Sequence, residues 1–197
     1  MNPDGNERLT ASVGLILIVL SLAEILTLLV GLQETLRLHV ILGLMLIPPI
    51  ALKLGSTGWR FARYYTRNAA YREKGAPQLL MRALAPLFVA ATVALFGSGV
   101  AMGVLHGNAL VIARRVHGPA SVVWMLLLGA HVLVYTRRAF HAVAADVRAR
   151  TRRAVTGARW RTVIVLVAVV GGVVTGLATL PDQHPWLHLP PKHRHDR

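Results

Sequence analysis

The sequence predicts an all-α integral membrane bundle of five transmembrane helices, four forming a core and one accessory, with the N-terminus inside and the C-terminus outside. Three observations carry this prediction. More than half of the 197 residues are hydrophobic (54%), too large a share for a soluble domain of this size to cover with charge. The apolar residues gather into five runs, each near the ~20 residues that cross a bilayer as a helix. The charge is skewed, 22 Lys+Arg against 8 Asp+Glu, and the basic residues concentrate between particular runs.

The runs are residues 12–32, 36–56, 84–106, 115–136 and 160–181. The first differs from a cleaved leader: its apolar core is too long, the preceding MNPDGNERLT is not basic, and no small-x-small site follows in GLQETLR. It is expected to stay as a helix. The second is interrupted by Pro48-Pro49, so a neighbouring element must satisfy the carbonyls that lose their N–H partners. The third and fifth carry GxxxG, Gly99 to Gly103 and Gly172 to Gly176, the spacing that lets membrane helices approach closely. The fourth begins at the basic pair Arg114-Arg115. Domain organisation follows: a short N-terminal segment (1–11), the five-helix domain (12–181) and a His/Pro-rich tail (182–197).

The connecting segments orient the bundle. Arg60, Arg63, Arg67, Arg72, Lys74 and Arg82 lie between the second and third runs. Arg137, Arg138, Arg148, Arg150, Arg152, Arg153, Arg159 and Arg161 lie between the fourth and fifth, so these two segments hold 14 of the 22 basic residues. The positive-inside rule assigns both to the cytoplasmic side, and the short links LQET and GNALVIAR to the outside. Trp59, Tyr64, Tyr65 and Trp160 then fall at the inner interface, where aromatic belts form. A basic excess of this kind does not indicate nucleic-acid binding, because it sits between membrane-length runs rather than on an aromatic-rich polar surface.

The absence of cysteine from the sequence excludes disulfides, thiolate metal sites, iron–sulfur ligation and c-type haem attachment. No GxGxxG, Walker or nucleophile-elbow motif occurs. The chemistry therefore rests on histidine. Of the nine, His184, His188, His193 and His195 belong to the tail and His141 to a basic segment, where a solvated role suffices. His39 opens the second run and His117 the fourth. Both runs point from outside to inside, so the two imidazoles lie at similar depth near the outer surface. His131 follows His117 by fourteen residues, which returns to nearly the same helix face about 21 Å further in. Fourteen residues beyond His39 stands Lys53. Two matched rungs result, His39 opposite His117 and Lys53 opposite His131.

Two neutral imidazoles at one height on parallel helices can ligate one haem iron from opposite sides. Gly43, a turn below His39, would make room for the macrocycle. Ser121, a turn below His117, could orient a ring, and Arg37, Arg114 and Arg115 at the outer rim could meet propionates. The inner rung lacks a second imidazole, and a protonated lysine cannot ligate iron, so one haem is expected rather than two. His131 is a candidate for a further cofactor contact, with a quinone as the second cofactor considered. His106 ends the third run and is expected to cap it. Glu24, deep in the first run, is expected either to relay protons or to bond a neighbouring helix.

The segments LHVILGLMLIPPIALKLGSTGWRFARYY, YREKGAPQLLMRALAPLFVAATVALFGSGVAM and RVHGPASVVWMLLLGAHVLVY resemble the membrane domain of bacterial b-type cytochrome-like proteins. They are similar to the helical N-terminal part of membrane-bound molybdopterin oxidoreductases of the sulfite-oxidase type. The resemblance spans residues 12–181, with LKLGSTGWRFARYY its most specific portion, and His39, His117 and His131 fall on its pattern. It implies a multi-pass protein of the bacterial plasma membrane that uses haem b to pass electrons between the quinone pool and an extracytoplasmic redox domain. Only a short tail follows the fifth run, so that partner would be a separate chain. The expected role is an electron-transfer subunit rather than a stand-alone enzyme. A non-haem anchor or assembly subunit, and a small proton-coupled transporter using Glu24, His131 and Lys53, are the competing readings.

Overall fold

The computed structural model describes residues 3–75, 79–151 and 157–180, and every regular element among them is a helix. These are α1 (Pro3–Val30), α2 (Leu32–Tyr65), α3 (Ala69–Glu73), α4 (Leu79–Val104), α5 (Gly107–Thr151) and α6 (Ala158–Ala178). All but the short α3 contain a stretch long and apolar enough to cross a membrane. Many large apolar side chains on them face outward, including Leu29, Leu126, Leu133 and Val167. In water such a surface would aggregate; against lipid tails it needs no cover. The tail histidines lie outside the described residues.

The helices overrun the apolar runs at their ends. α1 already starts at Pro3, a residue whose fixed φ and missing N–H suit the first helical turn. Apolarity marks what the bilayer can hold, whereas helix needs only internal hydrogen bonds, so polar flanks continue it. The links expected on the outside are consequently shorter than the apolar runs suggest. LQET is the first turn of α2, and one residue, Gly31, separates it from α1. Gly31 has φ of 124°, open to glycine and strained for other residues. Thr35 secures the reversal, its hydroxyl bonding Gly31 O at 2.9 Å and Thr27 O at 2.7 Å. GNALVIAR likewise begins α5, leaving only Leu105 and His106 outside helix.

α1 packs beside α2, α4 beside α5, and α1 also packs on α5, while α2 touches α4 more lightly. This closes a four-helix arrangement in which α2 and α5 stand on one diagonal. α6 lies against α2 outside it, the accessory position. The α4–α5 contact is aromatic: Trp124 is buried with Ala91 and Leu95, flanked by Phe88 and Phe96, and its indole donates to Thr92 Oγ1 at 3.1 Å.

The α2–α6 contact answers the Pro48-Pro49 interruption. Pro49 has no N–H, so the carbonyl of Met45 four residues earlier loses its helical donor. Gly172 of α6 sits directly against that carbonyl, so close that a Cβ there would collide with Met45 O. Gly176 approaches Ile41 in the same way, with a Cβ falling 2.9 Å from Ile41 O. The GxxxG spacing thus brings two glycine Cα–H groups to carbonyls of α2, one of them vacated by proline.

At the end of the bundle where α1 begins, α1 and α2 are joined by polar contacts. Asn6 donates to Ser56 O at 3.0 Å and Thr10 to Ser56 Oγ at 3.0 Å. Lys74, just after α3, pairs with Asp4 and with Glu7, the latter at 2.9 Å, tying the α2–α4 connection back to α1. Burial alone would lower the Lys74 pKa, but the bonds to Asp4 and Glu7 outweigh it and raise the value above the ordinary lysine range. Arg82 donates to Tyr65 Oη at 2.6 Å, linking the ends of α2 and α4.

Candidate functional site

The diagonal pair α2 and α5 carries His39 and His117, and the two rings face each other across the interior. Their centroids are 6.3 Å apart and their planes are near perpendicular, at 85°. Each ring is held through Nδ1. His39 Nδ1 lies 2.9 Å from Glu24 Oε1 and 3.1 Å from Thr27 Oγ1. His117 Nδ1 lies 3.1 Å from Leu95 O and 3.2 Å from Ser98 Oγ.

These partners fix the tautomers. A backbone carbonyl only accepts, so His117 Nδ1 carries a proton and donates it to Leu95 O. Ser98 has spent its own hydroxyl proton on Leu95 O at 2.9 Å, which leaves its oxygen as a second acceptor. The α1 side repeats the pattern. Thr27 donates its proton to Glu24 O at 2.6 Å, so with Glu24 ionised Thr27 Oγ1 and Glu24 Oε1 both accept from His39 Nδ1–H. With Nδ1 protonated on both rings, each neutral ring has its lone pair on Nε2. Neither Nε2 has a hydrogen-bond partner among the described residues.

An apolar cavity of about 120 Å³ adjoins the pair, lined by Ser21, Glu24, Gly43, Gly99, Ser121 and Trp124 along with both histidines. Gly99 lies under the His117 ring, where a Cβ would fall 3.3 Å from Cε1. Gly43 faces Glu24, with a Cβ falling 3.4 Å from Oε1, so its small size lets the carboxylate reach His39 as well as opening the cavity. Glu24 Oε2 is buried without a hydrogen-bond partner.

The residues expected around this pair distribute unevenly. Ser121 donates to Gly118 O of its own helix at 2.7 Å, and the serine that orients His117 is Ser98 on α4. Arg37 and Arg115 are exposed and Arg114 is half-buried; none of the three lines the cavity. His106 is exposed in the α4–α5 break. His131 belongs elsewhere. It lines a second cavity of about 200 Å³ together with Lys53, so the inner rung also comes together, apart from the outer one. Ser21 and Trp124 form the wall common to both spaces. His131 stacks near Tyr135 (4.7 Å between centroids) and Phe88 (5.6 Å).

The spacing of the two rings matches that of two imidazoles on one metal ion. An imidazole nitrogen binds a metal at about 2 Å, and each ring centroid lies roughly 1 Å beyond it, so two rings on one metal ion would have centroids about 6 Å apart, close to the separation here. Both also have the outer support that metal-ligating histidines use, a carboxylate or carbonyl on the remote N–H. No protein family, curated protein or solved structure matches the chain.

Proposed function

We propose that this chain is a membrane electron-transfer subunit holding a single b-type haem between His39 and His117. The observation that carries the reading is the pair of opposed imidazoles, both with Nδ1–H anchored and both with a free Nε2 lone pair. When bound, the haem would supply a one-electron couple. The chain's part is to fix both ligands before binding, so that little ordering remains to be done, and to keep the surroundings apolar. Glu24 is the stronger acceptor of the two supports and makes His39 the more electron-donating ligand. His117, held by a neutral carbonyl and hydroxyl, is the weaker.

The positive-inside rule sets the basic segments on the cytoplasmic side, which brings the histidine pair toward the outer face. Electrons would then pass between the quinone pool and a separate extracytoplasmic redox protein, in a bacterial plasma membrane.

The test is a reduced-minus-oxidised visible spectrum of the purified chain. A b-type band that is lost in His39→Ala and in His117→Ala, and retained in His131→Ala, is expected. A flat spectrum from protein grown with ample haem would refute the reading and leave a non-haem anchor.

A further inference from the structure

The second cavity has its ionisable groups at one end. Lys53, Thr57, His131 and Tyr135 gather toward the inner side, and Leu17, Phe88 and Leu127 are among the residues forming its apolar body, which reaches toward Trp124. At the outward end the hydroxyl of Thr92 is already engaged, donating to Phe88 O and accepting from the Trp124 indole. One ionisable end on a mostly apolar chamber suits a single-headed amphiphile.

Lys53 gives the head its sign. Its Nζ donates to Thr10 O at 2.7 Å, and Gly14 makes room for it, since a Cβ there would lie 2.8 Å from Nζ. An ammonium has three donors, and this contact uses one. Among the described residues no carboxylate pairs with Lys53; Glu7, the acid on the same inner stretch of α1, is engaged by Lys74. Even a half-buried cation without a counter-ion is costly in a low-dielectric interior. The adjoining chamber, which shares Lys53 in its lining with a third space that reaches Glu7 and Arg60, is where one can be supplied.

We infer that the inner cavity binds an anionic amphiphile, its head paired with Lys53 beside His131 and its hydrocarbon chain running along Leu17, Phe88 and Leu127 toward Trp124. Two sources share this chemistry, the carboxylate of a free fatty acid and the phosphate of an anionic phospholipid. The site is independent of the haem proposal, because it uses neither His39 nor His117.

Native mass spectrometry of the full chain in mild detergent, with lipid analysis of the extracted ligand, tests this. One anionic amphiphile per chain is expected. Re-addition to delipidated protein of oleate, phosphatidylglycerol or methyl oleate separates the sources: oleate rebinding identifies the fatty acid, phosphatidylglycerol the phospholipid, and uncharged methyl oleate should bind at least about tenfold more weakly, the loss of one charge-assisted contact. Lys53→Gln should lower retention by a similar factor. Leu17→Trp, which fills the chamber while leaving Lys53 in place, should also empty it and covers the case in which Lys53→Gln does not fold. The inference is overturned by wild-type protein carrying no stoichiometric amphiphile, by a neutral ligand such as a quinone in its place, by methyl oleate binding as well as oleate, or by unchanged retention in Leu17→Trp.

Discussion

Replacing Gly172 by alanine should loosen α6 from α2, and the neighbouring glycine supplies the control. A Cβ at Gly172 would meet the Met45 carbonyl oxygen head-on, with the carbonyl carbon only 3.3 Å away and the Met45 Cα at 3.6 Å. These are backbone atoms of a helix and cannot swing aside as a side chain could. To regain ordinary contact α6 must retreat by about 1 Å, an overpacking cost of about 1–3 kcal/mol. The retreat also weakens the Cα–H···O contacts at Met45 and Ile41, each about 0.5–1 kcal/mol. Alanine returns up to about 1 kcal/mol through its higher helix propensity. The expected net loss is about 1–3 kcal/mol. At Gly171 the added Cβ would sit 3.9 Å from Pro48 Cβ, a normal contact, so Gly171→Ala should be neutral or stabilising by up to about 1 kcal/mol. Detergent-induced unfolding of both variants, followed by the rate at which protease releases α6 at Gly157, measures the difference. Equal stability of the two variants would refute the claim that α6 is seated on the carbonyls of α2.

Three further predictions concern individual contacts. Glu24→Gln replaces an anionic acceptor of the His39 N–H by a neutral one; the anion favours the ferric state, so in haem-loaded protein the midpoint potential should rise by about 60 mV, a tenfold change in the one-electron equilibrium, read by spectroelectrochemical titration, and an unshifted potential would show that the carboxylate only positions the ring. Trp124→Phe and Thr92→Val each remove the buried indole–hydroxyl bond and should cost about 1 kcal/mol or more, with the double variant losing less than the sum in a thermodynamic cycle. The Lys74 pair stabilises the start of α1 while the amine is protonated; because its pKa is raised in the folded chain, that contribution is complete below the ordinary lysine pKa and disappears as pH rises through the folded value, so exchange protection in the first turns of α1, taken relative to the intrinsic base-catalysed rate, should fall at strongly alkaline pH in the parent and stay level in Lys74→Met.

Much of this was legible in the sequence. Apolar run length identifies the five spans, because the bilayer sets a minimum that polar composition cannot meet. The rungs were legible for a geometric reason: fourteen residues is nearly four helical turns, and parallel helices keep matched positions level. The supports of the rings were not. Ser98 and Leu95 O reach His117 only because of how α4 is rotated against α5, and nothing in FGSGV distinguishes that rotation; the small pair Ser98-Gly99 was the nearest signal. Glu24 could have been matched to His39. They stand seven and eight residues on either side of Gly31, and Thr27 and Thr35 stand four on either side. Seeing this needs the knowledge that Gly31 alone makes the reversal, which the polar look of LQET obscured. Arg114 and Arg115, expected at the rim from their closeness along the chain to His117, do not line the cavity itself.

The single-residue reversal at Gly31 leaves this end of the bundle no slack. If a residue inserted there is taken up by re-registering α2 against α1 by one helical step, about 100° and about 1.5 Å, the acid parts from the imidazole while both helices stay intact. The α4–α5 break is nearly as short, only Leu105 and His106, so natural length variation in this chain should be purged from this end of the bundle.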